Sequence, residues 1–228
     1  MNSLSSTSAS HSLFRSTVLV FAFVLACQAI WILTAEFARP SRLDLSGKSQ
    51  SAAIAYRNAA SLAASLGLVR GDLWAECALT YFDLNARNRR DSMTTHQPKT
   101  IEQAAAVAER ALALAPHDAR IWLVVADADS RLTSGHNADA ALRMSYYTGA
   151  NETGLIPLRL LLAVNSEGLI EKDLQQLVRH DILTIITRKP ELKPAILAAY
   201  RDAPPLGRKF LEDTLRQIDP TMLEKLHI

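Results

Sequence analysis

The sequence predicts an all-α fold that opens with a membrane-spanning helix, and three observations carry that reading. Residues 17–35 hold no charged side chain and only one strongly polar group, Gln28. Glycine stands at 8 of 228 residues while alanine and leucine dominate, a helix former's composition that leaves few residues for the tight turns of a sheet. Beyond the apolar run, apolar residues recur at helical spacing between prolines and glycines.

The apolar run comes first, after an N-terminal tail over 1–16. At 1.5 Å per residue, residues 17–35 reach roughly 28 Å, close to the hydrocarbon thickness of a bilayer. Cys27 follows Val24, Leu25 and Ala26, so a lipid-attachment cysteine and a cleaved signal peptide are alternatives. Both are disfavoured because Ile30, Trp31, Ile32 and Leu33 continue the apolar stretch past any cut, and a secretory core is usually only about 7–15 residues. An uncleaved anchor is the favoured reading, with Trp31 suited to the membrane interface. Its orientation is contested. Arg15 precedes the span whereas Arg39, Arg42 and Lys48 follow it, which favours a cytoplasmic C-terminal domain. A short tail with one arginine abutting the apolar run has instead the form of a signal-anchor, and we expect a periplasmic domain on a bacterial inner membrane.

A linker over 36–49 follows, marked by Pro40 and Gly47. The next helix covers Gln50 to Leu66 and stops at Gly67. Asp72 is a candidate N-cap for the following one, and Thr100 with Gln103 form a candidate capping box. Pro116 ends that helix and another starts near Asp118, giving an αα-hairpin. From Glu171 onward, helices are punctuated by Pro190, Pro194, Pro204, Pro205 and Pro220. Leu192, Ala195, Ile196, Ala199 and Tyr200 hold one apolar stripe, and Leu206, Phe210, Thr214 and Ile218 the next.

Trp74, Ala78 and Tyr81 lie at i, i+4 and i+7, with Cys77 where a leucine is usual; Trp122, Val125 and Ala126 repeat the pattern, with Asp129 in place of the tyrosine. This resembles the first-helix signature of the tetratricopeptide repeat. Ala104, Ala111 and Pro116 stand at the second-helix positions of the first unit, and Ala138, Ser145 and Ala150 at those of the second. Large knobs opposite small holes permit close helix packing. The two tryptophans are 48 residues apart against a repeat of about 34, so an inserted loop is expected over 86–99, carrying Arg87, Arg89 and Arg90. Repeats are thus expected over 50–152 and a C-terminal helical cap over 153–228. Asn151 to Val164 could open a third unit, with Pro157 in its first turns and no tryptophan.

No chemistry of a recognisable kind emerges. "LSGKS" ends like a phosphate loop, but the glycine that loop requires falls on Arg42. Asp127 and Asp129 are two apart on a helix and point about 200° away from each other, so they cannot share a metal ion. His117 reads as a turn residue, His180 as a surface position and Cys77 as a small core residue. With a net charge of +2 there is no basic face for nucleic acid. We expect no metal, no cofactor, no small-molecule substrate and no enzymatic activity.

The resemblance implies a protein-interaction scaffold whose first helices line a partner groove. By position that groove takes Asp72, Ala75, Leu79, Phe82 and Asp83 from the first unit, and Arg120, Leu123, Asp127, Ser130 and Arg131 from the second. A polysaccharide or secretion assembly of a bacterial envelope is the setting such proteins suggest. Arg87, Arg89 and Arg90 offer a basic contact for an acidic partner or lipid headgroups. The competing classes are an enzyme with an unrecognised helical site and a structural subunit packed permanently on a larger membrane protein. The latter would show a large exposed apolar patch.

Overall fold

The computed structural model describes the backbone over residues 5–39, 50–90, 98–132 and 136–224, and side chains within 14–39, 54–82, 100–132 and 138–224. All its elements are helical, and no strand occurs among the described residues. In chain order they are α1 (Ser5–Ala38), α2 (Gln50–Leu66), α3 (Gly71–Arg90), α4 (Pro98–Leu114), α5 (Ala119–Arg131) and α6 (His136–Thr148). They continue with α7 (Ile156–Val164), α8 (Lys172–Thr187), α9 (Lys193–Asp202), α10 (Pro205–Ile218) and α11 (Pro220–Glu224), joined by short 3-10 turns.

Helix α1 is long and apolar enough to cross a membrane over Phe14–Ala38, wider by three residues at each end than the uncharged run. Its described side chains are exposed with the exception of Ala35, which is buried, and of the last residue, Ala38, which is half-buried like Arg39 just after it. The expected linker is correspondingly shorter: Glu36 to Ala38 belong to the helix, and residues 40–49 lie outside the described residues.

Prolines define several of the later helix starts. Pro157 lies in the first turn of α7 and Pro194 in that of α9, while Pro205 opens α10 and Pro220 opens α11. A proline costs nothing there, because the first-turn N–H has no intrahelical partner and the fixed φ already suits a helix. The same rule moves the start of α4 to Pro98, ahead of the capping box expected at Thr100. Asp72 is likewise not an N-cap but sits in the first turn of α3. Asp118 does cap α5, its carboxylate accepting from the Arg120 amide at 3.0 Å.

Consecutive helices pack on each other from α1 to α6, as α1 on α2, α2 on α3, α3 on α4, α4 on α5 and α5 on α6. The first helices of successive hairpins also meet, α3 touching α5, α5 touching α7 and α7 touching α9. The small residues read from the sequence sit where helices cross: Ala78, Ala104, Ala111, Ala138 and Ser145 are all buried. Ala150 is exposed.

Among the described residues two apolar cores result. The larger runs from Ala75 and Ala78 of α3 through Ile121, Leu123 and Leu142 to Leu160, Ile182, Ile196, Leu211 and Met222. The C-terminal helices therefore contribute to the same core as the hairpins before them. The smaller core joins Ala35 of α1, Ala60, Ala63 and Ala64 of α2, and Leu73 and Cys77 of α3. Trp74 and Val107 pack against both.

Candidate functional site

The groove positions divide by burial. Asp72 and Arg120 are exposed, Leu79, Phe82 and Arg131 are half-buried, and Ala75, Leu123 and Asp127 are buried. Leu79 and Phe82 pack against the main core. Leu123 is 1% exposed and contributes packing rather than a binding surface, since α5 packs chiefly against α4 and α6 and also touches α3 and α7. Asp127 turns inward at 4% exposure and accepts from Arg131 at 2.7 Å one turn on, so both side chains are engaged within the helix. Ser130 remains exposed beside them, and Arg120 pairs with the cap residue Asp118 at 2.7 Å. The surface left on the α3–α5 face is thus polar and narrower than the sequence positions imply. The side chain of Asp83 lies outside the described residues.

The expected basic loop is partly helical. Helix α3 continues to Arg90 and α4 starts at Pro98, so Arg87, Arg89 and Arg90 occupy the last turns of α3, with their side chains outside the described residues. Residues 91–97 are not described.

A more organised array of charge lies where α1 leaves its apolar stretch. Arg39 donates through Nε to both carboxylate oxygens of Glu76, at 3.0 and 2.9 Å, and again through Nη2. It also pairs with Glu36 at 3.2 Å and with Asp72 at 3.8 Å. Arg70 reaches Glu36 at 2.8 Å and Asp72 at 2.6 Å. Two guanidiniums are thereby interleaved with three carboxylates from α1 and α3. Hydrogen bonds to the acids hold both arginines more firmly charged than usual, and Arg70 keeps the Asp72 carboxyl below the ordinary range. One turn earlier, Trp31 Nε1 donates to the Leu66 carbonyl at 2.6 Å. Such partly exposed pairs are individually weak, about 0–1 kcal/mol. Together with the burial of Ala35 they register the end of α1 against α2 and α3.

A second polar cluster lies inside the main core and went unnoticed in the sequence. Arg159 of α7 is fully buried; its Nε donates to Ser145 Oγ at 3.1 Å, and Nη2 donates to the carbonyls of Ser145 and, at 2.9 Å, Gly149. A guanidinium on the last carbonyls of α6 meets the negative end of that helix. It also lies 4.9 Å from the Tyr146 ring centroid. Gly149 makes the approach possible, because a Cβ there would stand 2.5 Å from Ala119 Cβ and 3.2 Å from Arg159 Nη2. Asp181 of α8 is 2% exposed, and burial pushes its carboxyl up to about 6 against the pull of Arg159. Burial likewise raises the Tyr146 hydroxyl. The Tyr146 hydroxyl and the Asp181 carboxylate face each other as hydrogen-bonding partners, and Arg159 Nη1 has no hydrogen-bond partner. A signal for this cluster did exist. Arg159 lies on the stripe of Ile156, Leu160 and Ala163, and Asp181 on that of Leu174, Val178, Ile182 and Ile185, both at core positions of their helices.

Cys77 is buried in the smaller core and its thiol is pushed up to about 11, the state of an inert packing residue. His180 is exposed. Among the described residues no group of three or more His, Cys, Asp or Glu converges where a metal ion could sit.

No family model matches the chain, no curated protein matches it, and no solved structure matches it.

Proposed function

We propose that this chain is a single-pass membrane protein carrying a tetratricopeptide-like helical-hairpin domain as a non-catalytic interaction scaffold. Its setting is a bacterial envelope assembly, with the domain on the periplasmic side. The observation that supports the reading best is the contact of α3, α5 and α7, the first helices of successive hairpins, one beside the next. Stacked first helices form the continuous surface on which repeat domains bind peptides or partner helices. The anchoring of α1 into the smaller core would hold that surface at a set height over the membrane.

The surface available to a partner is centred on Arg120 and Ser130, while Leu79 and Phe82 pack against the main core. Charging either apolar residue would disturb the core, so the test uses the exposed positions. A photo-reactive amino acid is placed at Arg120, at Ser130 or, on α4, at Glu102, in the full chain in its native membrane. Crosslinking of one protein species from Arg120 and Ser130 and not from Glu102 is the expected result. Equal crosslinking from all three sites, or none from the first two, would sink the groove assignment.

A further inference from the structure

We infer that the turn between α2 and α3 is a second membrane contact, in which Leu68 and Val69 enter the bilayer interface alongside Trp31. The inference rests on α1 being a membrane anchor.

Three independent features place the turn at that depth. The first is the hydrogen bond from Trp31 Nε1 to the Leu66 carbonyl, which ties the end of α2 to α1 five residues before Glu36. Five residues of helix correspond to about 7 Å, and side chains lean toward the helix N-terminus, so the bond lies on the membrane side of the charged layer. The second is a shared polarity boundary. In α1 the apolar run gives way to Glu36, and in the turn Leu66, Gly67, Leu68 and Val69 give way to Arg70. Glu36 and Arg70 are themselves paired at 2.8 Å, so the two boundaries coincide in space as well as in pattern.

The third feature is exposure. Val69 is 83% exposed and Leu68 49%, with Leu62 of α2 at 55%. Water does not favour two adjacent uncovered aliphatic side chains, whereas a lipid interface continuous with the span does. The same geometry accounts for the Trp31 bond. A carbonyl at a helix C-terminus lacks an intrahelical donor, and in a medium poor in water that deficit is costly unless a side chain supplies one. Trp31 supplies it.

The occupant proposed is lipid, because the patch continues the lipid-facing surface of α1; a second copy of the chain or another membrane protein is the alternative occupant. The test uses the full chain with Cys27→Ser and Cys77→Ala, reconstituted in nanodiscs of phosphatidylcholine and phosphatidylglycerol. A nitroxide is attached at Val69→Cys, at Leu25→Cys within the span, or at Ala150→Cys in the exposed turn after α6. Accessibility to oxygen, which partitions into lipid, is compared with accessibility to a water-soluble nickel chelate. At Val69 the ratio is expected to fall between those at Leu25 and Ala150, as an interfacial depth requires, and to stand well above that at Ala150. A Val69 ratio equal to that at Ala150 overturns the inference. So does shielding from both reagents accompanied by spin–spin broadening or by crosslinking to a protein, which would assign the patch to a protein neighbour. If Leu25 itself reads as aqueous, the anchor reading fails and the inference falls with it.

Discussion

Replacing Gly207 by alanine separates what helix propensity says from what packing says. Gly207 is the third residue of α10, and on propensity alone alanine there would gain up to about 1 kcal/mol. Its Cβ, however, would stand 2.2 Å from the Val164 carbonyl oxygen, 3.0 Å from the Val164 carbonyl carbon and 3.2 Å from Val164 Cβ. The obstacle is backbone, so no rotamer relieves it. Helix α10 must retreat from the end of α7 by roughly 1 Å, loosening contacts around Phe210, Leu211 and Thr214. Overpacking of this kind costs about 1–3 kcal/mol, and a backbone obstacle belongs at the upper end. Offset by propensity, the net loss is about 2 kcal/mol, a fall in Tm of about 4–8 °C for a chain of this size. Thermal unfolding of the full-length protein in detergent, followed by far-UV circular dichroism, measures it. Gly154→Ala is the control, since nothing lies within 4 Å of a Cβ at that position. Its Tm should stay within about 2 °C of the parent. A Gly207→Ala variant with unchanged or raised Tm would refute the close approach of α10 to α7.

Three further outcomes follow from the buried groups. Arg159→Met strips three hydrogen bonds and leaves Asp181 without the cation that stabilises it, so a loss of about 3–5 kcal/mol is expected in urea unfolding; a loss under about 1 kcal/mol would deny the cluster its structural role. Asp181 has a folded-state pKa raised from 3.8 to about 6, so the folded chain binds its proton more tightly than the unfolded one and this group's contribution declines as pH rises through 6. The linkage makes it worth about 1–2 kcal/mol more at pH 5 than at pH 8. Asp181→Asn should remove that increment, and an unchanged difference between the two pH values would count against it. Cys77, with its thiol near 11 and 1% exposed, should resist a polar maleimide at pH 7.5 until the chain is denatured, and rapid labelling of the folded protein would contradict its burial.

The legibility of this chain varied with the range of the interaction concerned. Helix existence, the apolar span and the proline-marked starts of the later helices are local matters of periodicity and backbone chemistry, and they could be read residue by residue. Boundaries set by a competing local rule were read less well, as where Pro98 and not Thr100 opens α4. The expected groove was the least legible. Asp72 and Arg120 remain exposed there, but Leu123 and Asp127 are buried, because α4 and α6, with α3 and α7, pack around α5. Position within a helix signature specifies a face, and only the neighbouring helices decide whether that face is covered. Arg159 and Asp181 were legible in principle, since each occupies an apolar stripe, but polarity suggested surface where periodicity pointed to the core.

By itself the sequence determined that the chain is helical, that its first helix has the length and apolarity of a membrane span, and that small residues occupy the positions where helices cross. These follow from propensity, hydropathy and side-chain volume, all properties of short segments. Tertiary structure decided that the end of α1 is built into the domain through Ala35, Trp31 and the Glu36–Arg70 and Arg39–Glu76 pairs. It also decided that Arg159 caps α6 from inside the core. The physical reason is the same in both cases: each depends on groups from separate helices arriving at hydrogen-bond distance, which no local pattern encodes.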